Sequence, residues 1–265
     1  IGYGAIVKLA LAALARDLPA PLEHLVIHAK PDGAARAAAL LKSFGPALTR
    51  SSAVSTTVQD LLSHHSTLAV EAAGHEALRT LGPALLSAGV ELLISSVGAL
   101  ADEKLRTALN AAAESGKTVH ANIPGAIGGL DLLAAAKLSG LESVTYTGRK
   151  PPIAWKGTKA EKLVDLDALS SEHAFFEGDA GTAARDYPQN ANVAATLALA
   201  GAGFDKTFVR LVADPSITRN VHEINVRATC ADFTLRVEGK AAAENPKTSM
   251  TVAYSLAASI LQRLS

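Results

Sequence analysis

From residue 5 to residue 123 the chain alternates helix-period runs with short apolar runs, and that alternation leaves few folds open. Residues 5–17 have helical period, 24–28 (HLVIH) form a short apolar run, and 32–44 are helical again. The pattern continues through 67–73 (TLAVEAA), 75–88, 91–97 (ELLISSV), 102–115 and 118–123. Continuous apolar strands bounded by helices belong to a parallel sheet covered on both faces. The first half is therefore predicted to be α/β, a doubly wound parallel sheet closing near residue 122. Apolar residues at 49% with aromatics at only 4% fit helices packed on a sheet better than an all-β sandwich.

The second half reads as α+β with a mixed sheet. A helix is expected over 128–138, a strand over 143–147 (SVTYT), then a Gly/Pro/Lys-rich loop, GRKPPIAWKG. A helix over 192–202, a strand over 208–213 and two alternating runs, 221–229 and 232–238, follow. Period-two alternation marks strands with one face solvated or at an interface, here an antiparallel hairpin. The last helix, 249–264, is expected to return to the first domain. The expected division is thus residues 1–122 completed by 246–265, with 123–245 as a catalytic and dimerisation domain.

Charge and cysteine narrow the partners. Lys+Arg 25 balance Asp+Glu 25, so no global field favours nucleic acid or an anionic membrane. No segment has the uninterrupted apolar length of a membrane span. Residues 1–15 approach the core of a secretory signal, but a Gly-Tyr-Gly turn and the lack of a basic leader favour the end of a first β-strand entering a helix. The single cysteine, Cys230, cannot form an intrachain disulfide, and a reducing, cytoplasmic setting is expected. The expected partner is a small molecule, and the alternating strands suit an isologous homodimer.

Gly2-Tyr3-Gly4-Ala5-Ile6-Val7 is the first chemical signal. A strand end, Gly-x-Gly and a helix start can seat a pyrophosphate, because Gly2 makes the tight turn and Gly4 admits close approach to the helix N–H groups. Such a turn before a βαβ alternation is Rossmann-type, although Val7 stands where a third glycine is usual; alone it is also a plain tight turn. Where an acidic residue would grip the ribose, the chain has Lys30, with Arg36 nearby, and Asp32 reads as a helix cap. NAD or NADP is therefore expected, Lys30 suiting a 2′-phosphate unless it is simply solvated. Gly74 and Gly98 follow the fourth and fifth strands, where ligands lie in open α/β sheets, but each is also an ordinary turn glycine.

His222, at the start of a predicted strand, is the sharpest catalytic candidate, since imidazole gives and takes protons near neutrality. It is expected to face a cleft between the domains. Asn192, with Asn190 before it, reads as a helix N-cap able to offer N–H groups to a ligand. Arg149, Lys150, Lys247 and Thr248 are expected on exposed loops, as anchors for two substrate carboxylates or as solvated surface. No metal site is expected: His64 and His65 share no helix face and lack a carboxylate at ligand spacing.

Six segments carry a resemblance: EAAGHEAL (71–78), SVGALADE (96–103), the run from PGAIGG (124–129) to IAW (153–155), FEGDAGTAARDYPQNANVAATLALAGAGFD (176–205), ADPSITRNVHEI (213–224) and NPKTS (245–249). In them the chain resembles the L-aspartate dehydrogenase family. The resemblance implies NAD(P)-dependent oxidation of L-aspartate to iminoaspartate, then oxaloacetate and ammonia, feeding NAD biosynthesis or aspartate metabolism. It also implies His222 as the acid/base residue, and Ala126 and Asn192 as coenzyme contacts near the nicotinamide. Two alternatives stand beside it: a related two-domain reductase, homoserine dehydrogenase-like or dihydrodipicolinate reductase-like, and a non-catalytic NAD(P)-sensing protein.

Overall fold

The computed structural model describes residues 1–188, 191–242 and 245–264, with only the backbone course of 241–248. Contacts divide the chain into two compact units, Ile1–Ile123 with Val252–Ser265, and Pro124–Thr251.

In the first unit the expected alternation is present. Helices α1 (Ala5–Asp17), α2 (Ala34–Phe44), α3 (Val58–Ser63), α4 (His75–Ser87) and α5 (Glu103–Ser115) interleave with β1 (Leu22–His28), β2 (Thr49–Ser55), β3 (Leu68–Glu71), β4 (Glu91–Ile94) and β5 (His120–Asn122). Neither β2 nor α3 follows from periodicity. The strand TRSSAVS is mostly small and polar, buried at both ends and exposed over residues 50–52, and owes its place to parallel pairing with β1. All the pairings in this unit, β1 with β2 and β3 with β4 and β5, are parallel.

Residues 1 and 2 carry the ladder across the centre of this sheet. Gly2 N donates to His28 O at 3.0 Å, Ile1 N to Val70 O at 2.6 Å, and Ala72 N to Ile1 O at 3.1 Å. Beside them the edges of β1 and β3 flank a cavity of about 470 Å³, lined by Val7, Leu11, Ile27, Val70, Leu256 and Ile260 among others. Leu11, Leu14, Ile27, Leu41 and Leu93 form one buried cluster that includes Leu256 and Ala257 of the last helix, α9 (Met250–Leu264). Burying a leucine side chain contributes about 1.5–3 kcal/mol, so the apolar stripe of this last helix is part of the unit's stability.

The second unit holds a five-stranded mixed sheet. Helix α6 (Leu130–Ser139) leads into β6 (Leu141–Lys150), and β7 (His173–Asp179), α7 (Ala180–Asp186) and α8 (Asn192–Ala200) precede β8 (Thr207–Ala213), β9 (Asn220–Ala228) and β10 (Phe233–Gly239). The order is β10-β9-β6-β8-β7, with β6 and β8 parallel and the other pairs antiparallel. The expected hairpin is β9 with β10. Two short strands, β11 (Ala241–Ala242) and β12 (Asn245–Ser249), pair antiparallel before α9.

Three expectations are corrected here. Strand β6 runs on through Gly148, Arg149 and Lys150, so those residues are sheet and not loop. Asp32 lies in a 3-10 turn and caps nothing, since Gly33 stands at the α2 N-terminus. Asn192 is the first residue of α8, behind Ala191 at the cap, while Asn190 lies outside the described residues.

Candidate active site

The glycine turn of the first unit is built for close backbone approach. Gly2 has φ +99°, and a Cβ there would stand 3.0 Å from Ala72 O, so glycine is required on both counts. Gly4 caps α1 without a side chain, and a Cβ on it would meet nothing within 4 Å. The N–H groups of Ala5 and Ile6 therefore open α1 with no side-chain cap over them and free space before Gly4. Gly74 repeats the device at α4, with φ +111°, no side-chain cap and open space. Helix starts of this kind attract anions through their N–H groups and dipole. These two turns fit a dinucleotide diphosphate.

Tyr3, between the two glycines, covers the next turn. Its hydroxyl would clash with any side chain at Gly33, and the Arg36 guanidinium lies 5.2 Å from its ring centroid. Lys30 is exposed at the end of β1, beside this group. Gly98 lies buried in the 3-10 turn Val97–Ala101 after β4.

Glu71, which sequence reading missed, ties the turns after β3 and β4 together. Its side chain is fully buried at the end of β3. One carboxylate oxygen accepts from Ala73 N and Gly74 N at 2.8 Å each and from Ser96 Oγ at 2.9 Å, the other from Ser96 N at 3.0 Å. Hydrogen bonds to a charged group contribute about 1.5–3 kcal/mol each, enough to hold a carboxylate out of water. A lone glutamate at the end of an apolar run, EAAG, was the available signal.

In the second unit, register assembles the catalytic candidates. His222 on β9 pairs with Gly148 on β6. Residues 146, 148 and 150 of β6 share one face, so Tyr146 and Lys150 lie diagonally on either side of His222, across a glycine. Gly148 is required, because a Cβ there would fall 2.6 Å from the Tyr146 hydroxyl. Over that gap Tyr146 Oη reaches His222 Nδ1 at 2.9 Å, with the rings 6.0 Å apart and 16° from parallel. His222 is buried, and its Nε2 has no hydrogen-bond partner among the described residues. Burial, with the Lys150 cation, pushes the imidazole from 6.5 down to about 3, so it is neutral at physiological pH.

Lys150 corrects the expected exposed cation: it is buried, 5.0 Å above the Trp155 ring, and burial lowers its ammonium to about 8. Trp155 is itself fixed by its Nε1 donating to Val212 O at 3.0 Å. Arg149 is half-buried on the opposite face, paired with Glu172 and, at 3.1 Å, with Asp214. Lys247 and Thr248 fall on β12, and their side chains lie outside the described residues. Ala126 is buried after Gly125, and Asn192 opens α8.

One histidine reading is also corrected. Asp60 stands one helical turn before His64, 3.8 Å away, and His24 Nε2 lies 3.1 Å from His64 Nδ1. Even so, among the described residues no three ligand-type side chains form a group able to hold a metal ion. No described helix is long and apolar enough to cross a membrane.

Two family models match the chain: "Aspartate dehydrogenase, C-terminal" over residues 131–263, and "Homoserine dehydrogenase, NAD binding domain" over 2–122. The L-aspartate dehydrogenase of a Polaromonas species is 48% identical over 196 residues, 74% of this chain and 73% of that protein. The L-aspartate dehydrogenase of Serratia proteamaculans is 40% identical over 264 residues, 96% of this chain and 92% of that one. Among solved structures, the aspartate dehydrogenase of Thermotoga maritima superposes with a TM-score of 0.68 at 24% identity, covering 92% of this chain and 97% of that one.

Proposed function

The chain belongs to the L-aspartate dehydrogenase family, and from that premise we infer how its residues divide the oxidation of L-aspartate by NAD or NADP. The products are iminoaspartate and, after water adds, oxaloacetate and ammonia. When bound, the coenzyme supplies the acceptor for the two electrons leaving the substrate. The first unit, which matches an NAD-binding domain, holds it. Gly2, Gly4, Ala5, Ile6, Gly74 and Gly98 are the proposed diphosphate and backbone contacts, and Lys30 the contact at the adenosine ribose. Ala126 and Asn192 are proposed near the nicotinamide.

His222 is the proposed catalytic residue, meeting the substrate through Nε2. The observation that carries this is a buried imidazole anchored at one nitrogen and without a partner among the described residues at the other. Of the proposed substrate anchors, Lys150 shares the face of His222 and Lys247 and Thr248 complete the set, while Arg149, on the opposite face and paired with Glu172 and Asp214, is left out of it. A homodimer through the second sheet belongs to the same proposal, supported by Phe208, 43% exposed on the face turned away from His222. So do a cytoplasmic setting and a role in supplying NAD biosynthesis.

The test is a set of initial rates with L-aspartate, D-aspartate and L-glutamate, each with both nucleotides. L-Aspartate is expected to be the preferred substrate. Equal or faster turnover of L-glutamate would overturn the assignment.

A further inference from the structure

Deepening the reading above, and resting on it for the identity of the substrate, we propose that Tyr146 is a positioning residue that fixes the tautomer of His222. His222 then meets the substrate as a hydrogen-bond donor, Nε2–H, to an oxygen lone pair, and water is not deprotonated by it.

The argument is one of counting protons. A neutral imidazole has one donor and one acceptor nitrogen. The Tyr146 hydroxyl is fully buried, and its hydrogen-bond partner among the described residues is His222 Nδ1, at 2.9 Å. Burial raises the phenol, so its proton stays on. A buried O–H needs an acceptor, and the acceptor within reach is the Nδ1 lone pair. The ring hydrogen must then sit on Nε2. Burial and the Lys150 cation keep the imidazole neutral, and its cross-strand neighbour on β10 is the uncharged Val237. The ring thus presents a buried N–H with no partner among the described residues. Such a donor is satisfied by a ligand oxygen, and a neutral imidazole in this state polarises that oxygen without taking its proton.

Two substrate oxygens have this chemistry: a carboxylate, present throughout, and the oxygen on the reacting carbon, present only after water adds. Kinetics separate them, since loss of the first raises KM and loss of the second lowers kcat.

The decisive measurement is the imidazole nitrogen spectrum of the ¹⁵N-labelled protein, wild type and Tyr146→Phe. In the wild type, Nδ1 of His222 is expected to be pyridine-type and Nε2 pyrrole-type, unchanged across neutral pH. Tyr146→Phe should mix the tautomers and cost about tenfold in turnover, the size of one hydrogen bond, with coenzyme affinity retained. Gly148→Ala, which drives a Cβ against the Tyr146 hydroxyl, should do the same. A pyrrole-type Nδ1 in the wild type overturns the proposal, as does an acid limb near 6.5 in kcat/KM that vanishes in His222→Asn. Should Tyr146→Phe fail to fold, the wild-type spectrum alone decides. Absence of aspartate-dependent nucleotide reduction would instead remove the functional reading, leaving the tautomer to the spectrum.

Discussion

In the first unit the groups that matter sit at strand ends and belong largely to the main chain: a glycine with positive φ, uncapped helix starts, and turn amides gathered on Glu71. In the second they sit in mid-strand and are side chains, Tyr146, His222 and Lys150, set side by side by register. Binding by backbone tolerates almost any side chain nearby but fixes where glycine must stand. Chemistry by side chain fixes identity at each position and depends on partners distant in the chain, since Tyr146 and His222 are 76 residues apart.

The difference can be broken or sharpened in four ways. The largest effect is expected from His222→Ala, which should keep coenzyme binding, read by nucleotide fluorescence, while turnover falls by roughly 10²- to 10³-fold. Unchanged kcat would dissolve the contrast. Glu71→Ala should act in the opposite sense. It strands the buried N–H of Ser96 and the N–H groups of Ala73 and Gly74, costs about 3 kcal/mol in a denaturant melt, and raises the coenzyme KM. An unchanged melt would show that the turns hold without it.

Gly2→Ala places a side chain at φ +99° against Ala72 O and should cost about 1–3 kcal/mol with weakened nucleotide binding. The fourth is a pH effect. His222 falls from 6.5 unfolded to about 3 folded, so the unfolded state binds the extra proton between those values. The stability it contributes is complete above 6.5 and lost as pH drops towards 3, by at most about 1.4 kcal/mol per pH unit. Melts of wild type and His222→Asn in that window should diverge with this sign.

The same contrast explains what the sequence made legible. The α/β alternation, the Gly-Tyr-Gly turn and the β9–β10 hairpin were visible because local period and glycine spacing specify them. Strand β2 was not, because its residues are small and polar and its place comes from pairing with β1. His222 stood out by type alone, but Tyr146 and Gly148 are ordinary strand residues until β6 is laid against β9. Lys150 was read as exposed because Pro-Pro follows it, yet β6 carries it into the interior over Trp155. Glu71 hid at the end of an apolar run, where only the turns around it reveal four acceptor contacts.

Those four contacts converge on one carboxylate, three on one oxygen and one on the other. Two crossover loops separated by twenty-odd residues are therefore mutationally one object. A substitution at Gly74 and another at Ser96 should not have independent energies, and a double-mutant cycle between them should show coupling of about 0.5–3 kcal/mol. Any redesign of nucleotide preference at one loop has to treat the other as part of the same edit.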